Sequence, residues 1–106
     1  MRLGNHIIVA TSGETMLGIG RAIEHGLGSL GFIEPRRGDQ AFVLGYANGN
    51  VGYLCTATSF KEGGYEPIES FDYYLKPGPF KPEIEKTLVK AALDLALELD
   101  QTSQQK

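Results

Sequence analysis

Apolar residues change their period along this chain, and the changes mark its elements. Residues 6–11, His-Ile-Ile-Val-Ala-Thr, form a short apolar run rich in β-branched residues, the pattern of a buried strand. Met16, Ile19, Ile23, Leu27 and Leu30 then recur at three- and four-residue steps, which predicts a helix over roughly 14–30 with one apolar face. Thr11 and Glu14 have the spacing of a capping box that would start it. Gly26, Gly28 and Gly31 make its end permissive. Residues 31–40 hold Pro35, Arg36, Arg37, Gly38 and Asp39 and read as a loop.

A second buried strand is expected at 41–46, Ala-Phe-Val-Leu-Gly-Tyr, followed by a turn at Asn48-Gly49-Asn50 and a short extended piece over 51–56. Lys61-Glu62-Gly63-Gly64 suggests one helical turn and a loop. Phe71, Tyr73 and Tyr74 suit an edge or hairpin strand over 69–75, and Pro77-Gly78-Pro79 breaks the chain. From Pro82 to about Leu99, an apolar stripe of Ile84, Leu88, Ala91, Ala92, Leu95 and Leu99 opposes Glu83, Lys86, Lys90 and Asp94. That is an amphipathic helix with proline in its first turn. The order predicts an α/β fold: a small two-layer domain with a short sheet of three to four strands packed by two main helices. Residues 1–99 form the domain and 100–106 a polar, frayed tail.

Composition narrows the function. The chain has 106 residues, 42% hydrophobic and 22% charged, enough for one domain with a modest core. A formal charge of −3 argues against nucleic acid or an anionic membrane as partner, since both demand a basic surface. Cys55 is the single cysteine, so an intrachain disulfide and a CxxC-type zinc site are excluded. Flanked by Leu54 and Thr56, it reads as a small buried hydrophobe. No apolar run reaches the ~18–20 residues of a membrane span, and no signal-peptide pattern opens the chain. It reads as soluble, with its compartment open.

Two catalytic patterns fail. Thr11-Ser12-Gly13 stands at a strand-to-helix turn, but the Gly-x-Ser-x-Gly of a nucleophile elbow is missing. Gly18-Ile19-Gly20 lies in a helical pattern with no Gly-Lys-Ser/Thr after it, so it is no phosphate loop.

Three stretches carry a resemblance. Ser12-Gly13-Glu14 with Gly20-Arg21, Tyr46-Ala47-Asn48 through Val51-Gly52-Tyr53, and Gly64-Tyr65-Glu66 together resemble the neutral/alkaline ceramidases, metal-dependent amidases that cleave the N-acyl bond of ceramide. The likeness runs from about residue 3 to 70 and covers only the later part of that catalytic domain. It implies that Glu14 and Tyr53 are zinc ligands and that Tyr65 helps hold the oxyanion of the tetrahedral intermediate. The chemistry is coherent. Carboxylate and phenolate oxygens bind zinc, the metal activates water, and a phenol aimed at a developing oxyanion stabilises it. The sequence departs from the pattern at Asn50, which stands where the family has a tyrosine, and at Thr15, Met16 and Leu17 after the glutamate.

The resemblance also implies two further zinc ligands, both histidine, and the chain offers only His6 and His25. On the predicted helix His25 lies roughly 16 Å along the axis from Glu14. His6, at the far end of the first strand, is about 20 Å or more away. Zinc ligands converge to ~2 Å from one metal, so neither joins Glu14 within one chain. Glu14 also has a plainer role available, as the glutamate of the capping box. Two functions follow: a ceramidase-like domain without a complete site that survives as a homo-oligomer, a dimer for preference, or a part of a zinc-dependent N-acyl sphingolipid hydrolase site that another chain completes.

Overall fold

The computed structural model describes residues 1–104. Strands β1 (Arg2–Leu3) and β2 (His6–Ala10) precede a short β3 (Glu14–Thr15) and helix α1 (Leu17–Ser29). After a 3-10 turn come β4 (Gln40–Leu44), β5 (Tyr53–Leu54) and α2 (Ala57–Glu62); a π-helical turn (Tyr65–Glu69) then leads into α3 (Ser70–Tyr73). A long α4 (Ile84–Gln104) closes the order. The main sheet has the order β1-β2-β4, with β1 antiparallel and β4 parallel to β2. β3 and β5 pair separately as a second, two-stranded parallel sheet.

The parallel register sets Ile7 against Ala41 and Val9 against Val43. Alternation puts these four on one face, where they meet Ile19, Ile23 and Leu27 of α1 and Leu88, Ala92 and Leu93 of α4. Ile19, Ile23 and Leu27 are fully buried, as their helical spacing requires. α4 comes close to α1 because Gly26 has no side chain: a Cβ there would lie 2.8 Å from a methyl of Leu93. Both long helices therefore cover the same face of the sheet, the expected two-layer α/β arrangement.

Five expectations need correction. The second expected strand, β4, is only half-buried, with Phe42 and Leu44 exposed. The stripe of the last helix, α4, is rotated: Val89, Leu93 and Ala96 pack on the core beside Leu88 and Ala92, while Ala91, Leu95 and Leu99 are exposed. α1 starts at Leu17, three residues later than expected; its N-cap is Met16 and not Thr11, and it makes no side-chain capping hydrogen bond. The Thr11 hydroxyl instead meets that of Thr15 at 2.5 Å and donates to the Leu44 carbonyl at 3.2 Å, stitching β2's end to β4. Glu14 is thereby freed from capping and sits in β3. The strand expected over 69–75 is a π turn and a short helix. There Pro67, Ser70, Phe71 and Tyr74 line one cavity at helical steps, and the Ser70 hydroxyl donates to the Glu66 carbonyl at 2.6 Å. The tail expected from 100 continues α4 through Gln104; positions 105–106 of that expectation lie outside the described residues. Among the described residues no helix is long and apolar enough to cross a membrane.

Candidate functional site: a carboxylate ringed by tyrosines

Beyond the carboxyl ends of β2 and β4, three Gly-X dipeptides cross at contact distance. A Cβ on Gly45 would stand 2.8 Å from the Gly13 carbonyl oxygen, and one on Gly13 would stand 2.7 Å from that of Gly52. Any side chain there would collide with backbone, so glycine is required by the approach itself. The same crossing is hydrogen-bonded: the amide of Glu14 donates to Gly52 O at 2.9 Å, that of Tyr46 to Gly13 O at 3.0 Å, and that of Val51 to Ser12 O at 2.8 Å. The residue after each glycine, namely Glu14, Tyr46 and Tyr53, is thus delivered to one place. The carboxyl ends of parallel strands are where open α/β sheets place their ligands.

Glu14 and Tyr53 stand opposite each other in the β3–β5 ladder. The Tyr46 hydroxyl donates to Glu14 Oε1, and the Tyr74 hydroxyl donates to Oε2 at 2.5 Å. Tyr53, across the ladder from Glu14, also favours the charged carboxylate. Tyr65 packs edge-on against Tyr53 with ring centroids 6.1 Å apart, and Tyr74 does so at 6.3 Å. Asn50 also has a place here. Its Oδ1 accepts from the Gly52 amide at 3.1 Å and its Nδ2 reaches the Tyr74 hydroxyl at 3.5 Å, bracing a phenol that itself holds Glu14.

Charge follows from this geometry. Hydrogen bonds from Tyr46 and then Tyr74 hold the Glu14 carboxyl below its ordinary value, against the opposing effect of burial. The Tyr46 phenol is pushed up to about 12, chiefly by its hydrogen bond to Glu14. Tyr74 is raised mainly by the same kind of bond, and Tyr53 by burial first and the Glu14 charge second. Near neutrality the site is one anionic carboxylate held by neutral phenols. Tyr46 adopts this place with φ of 57°, a left-handed backbone uncommon outside glycine and often found at functional positions.

An apolar cavity of about 320 Å³ opens beside the cluster. Tyr53 and Tyr74 form the wall it shares with Glu14's surroundings; Phe60, Pro67, Phe71 and Phe80 supply much of the rest. Its size suits a small ligand.

Glu14, Tyr53 and Tyr65, the three residues singled out in the sequence, lie together. Neither histidine joins them. His6 begins β2, at the opposite end from the site, and His25 lies in α1, in a surface hollow with Arg21, Glu24 and Ile33. His25 does not share a helix with Glu14, as the sequence had suggested, because α1 begins only at Leu17. Glu14 and Tyr53 could fill two positions of a zinc shell, but among the described residues no three His, Cys, Asp or Glu side chains converge on one point. The donors present do not fit a complete zinc site. Cys55 is no ligand either: it is fully buried, and burial, helped by the Glu66 charge, pushes its thiol up to about 11.

Tyr46 and Tyr74 were not assigned roles by sequence reasoning. A signal for Tyr46 existed, since it follows a glycine as Glu14, Tyr53 and Tyr65 do. Tyr74 was obscured by reading 69–75 as a strand rather than as a helical step from Phe71. No family model matches this chain, and neither a curated protein nor a solved structure does.

Proposed function

We propose that this chain is a ceramidase-like domain that carries the carboxylate-and-tyrosine part of an amidase site, does not hydrolyse amides alone, and self-associates, as a dimer. One observation carries the reading. Glu14, Tyr53 and Tyr65, the three residues that the resemblance assigns to chemistry, are 51 positions apart end to end and meet in one cluster. A chance likeness of short motifs gives no reason for such convergence.

The chain's own residues act by position and charge. The phenols of Tyr46 and Tyr74 keep Glu14 anionic and fixed. Tyr65, against Tyr53 and open to solvent, offers a hydroxyl of the kind that steadies an oxyanion. The apolar cavity beside them supports a substrate bearing an acyl chain. Among the described residues the metal donors stop at Glu14 and Tyr53, short of a shell that would activate water. The second reading, a zinc-dependent N-acyl sphingolipid hydrolase site completed by another chain, is favoured by the same half-set of oxygen donors.

The test is zinc content after mild dialysis, with Glu14→Ala alongside, followed by an amidase assay on an N-acyl lipid. The expected result is neither stoichiometric zinc nor turnover. Zinc lost in Glu14→Ala, together with hydrolysis by the monomer, would overturn the reading. Glu14-dependent zinc that appears only in an oligomer would establish the second reading in its place.

A further inference from the structure

We infer that the outer face of the main sheet is the surface through which two copies of this chain associate. This rests on the self-associating reading above and gives it a place. Parallel strands normally have both faces covered. Here β2 and β4 are covered on one face only, by α1 and α4. Strand alternation and register send Leu3, Ile8, Ala10, Phe42 and Leu44 to the other face. Phe42 is 43% exposed, Leu44 50% and Leu3 56%.

The chain as a whole leaves more surface open than a compact monomer does. The chain exposes 7193 Å², whereas a compact monomer of 11.5 kDa exposes roughly 5,800 Å². The excess of about 1,400 Å² exceeds the ~800 Å² that each partner gives to a standard interface. Its radius of gyration of 15.1 Å agrees, against roughly 13 Å for a compact chain of this length. Part of the excess lies on α4, where Leu95 is 64% exposed.

A second copy suits the sheet face for a physical reason. The remaining outward positions, His6 and Gln40, add no formal charge at neutral pH, and no Asp, Glu, Lys or Arg alternates onto this face. Two identical patches therefore meet without like-charge repulsion, and nothing on the face selects a dissimilar, charged partner. Two-fold symmetry buries the same apolar residues twice, with the sheets stacked about 10 Å apart.

Sedimentation velocity across the micromolar range tests this, on the unmodified chain and on Phe42→Lys, Leu44→Glu and Leu95→Lys. The unmodified chain is expected to be dimeric. Phe42→Lys and Leu44→Glu should each weaken the dimer at least roughly thirtyfold, with circular dichroism reporting an intact fold, while Leu95→Lys should leave it unchanged. Should a charged variant fail to fold, hydroxyl-radical footprinting of the unmodified chain decides: oxidation of Phe42 and Leu44 should fall as concentration rises. A monomer at every concentration overturns the inference, as does a dimer that resists both sheet substitutions or whose footprint lies on α4. A dimer without zinc or turnover is the expected pair of results; a monomer without them removes the surface and leaves the account of the incomplete site, whereas a monomer with Glu14-dependent zinc and hydrolysis overturns both.

Discussion

Replacing Gly45 by alanine probes the crossing on which the tyrosine-ringed carboxylate is built. The new methyl carbon would sit 2.8 Å from the Gly13 carbonyl oxygen and 3.7 Å from the Thr15 amide nitrogen. These are backbone atoms, held by the Tyr46 N–H to Gly13 O bond at 3.0 Å and by the Glu14 N–H to Gly52 O bond at 2.9 Å. Relief therefore needs main-chain movement, and overpacking of this kind costs ~1–3 kcal/mol. For a domain near this size each kcal/mol lowers Tm by about 4–8 °C, so a cost of about 2 kcal/mol corresponds to a fall of roughly 8–16 °C. Gly20→Ala is the internal contrast. It lies within α1, and its Cβ would meet Val43 only at 3.7 Å, an ordinary contact. Gly20→Ala should therefore stabilise by up to ~1 kcal/mol through helix propensity and lower unfolded-state entropy. Thermal and urea unfolding followed by circular dichroism reads both. If Gly45→Ala proves as stable as the parent, the crossing is not tight and the account of how Glu14 and Tyr46 meet is wrong.

Two further outcomes bear on the charge of the site. In Glu14→Gln the Tyr46 phenol should titrate well below its value of about 12, toward the ordinary 10.0, as followed by tyrosinate absorbance; an unmoved midpoint would deny the Tyr46–Glu14 contact. The folded-state value of Glu14 is depressed, so its contribution to stability is complete above the ordinary 4.5 and lost as pH falls through the folded value. Tm of the unmodified chain should accordingly fall more steeply below pH 4.5 than that of Glu14→Gln, and parallel curves would contradict this.

Much of the frame was legible in the chain alone. The four-residue spacing of Ile19, Ile23 and Leu27 required a helix that buries them, and all three are buried. The two apolar runs expected as strands became paired strands. Periodicity reports which face of an element avoids water, and that is a local property. It does not report where an element begins when loop contacts compete for the same residue. Thr11 was expected to cap α1 but bonds Thr15 and Leu44 across the sheet end, so α1 starts at Leu17. At 69–75 the aromatic residues fit alternation about as well as a helical step. The choice fell to the apolar cavity, which gathers Pro67, Phe71 and Tyr74 on one side.

The sequence by itself thus determined the layers, the core stripe of α1 and the identity of Glu14, Tyr53 and Tyr65 as candidates. Tertiary structure alone decided that these three lie together and that Tyr46 and Tyr74 hold the carboxylate. It also left one face of the sheet uncovered, whereas the exclusion of His6 and His25 already followed from their spacing along the chain. The reason is range. Hydrophobic period acts over a few residues, whereas the distances from Glu14 to Tyr46 and Tyr74 span 32 and 60 positions. Such distances are set by the register of β3 on β5 and by glycines that let three backbones touch.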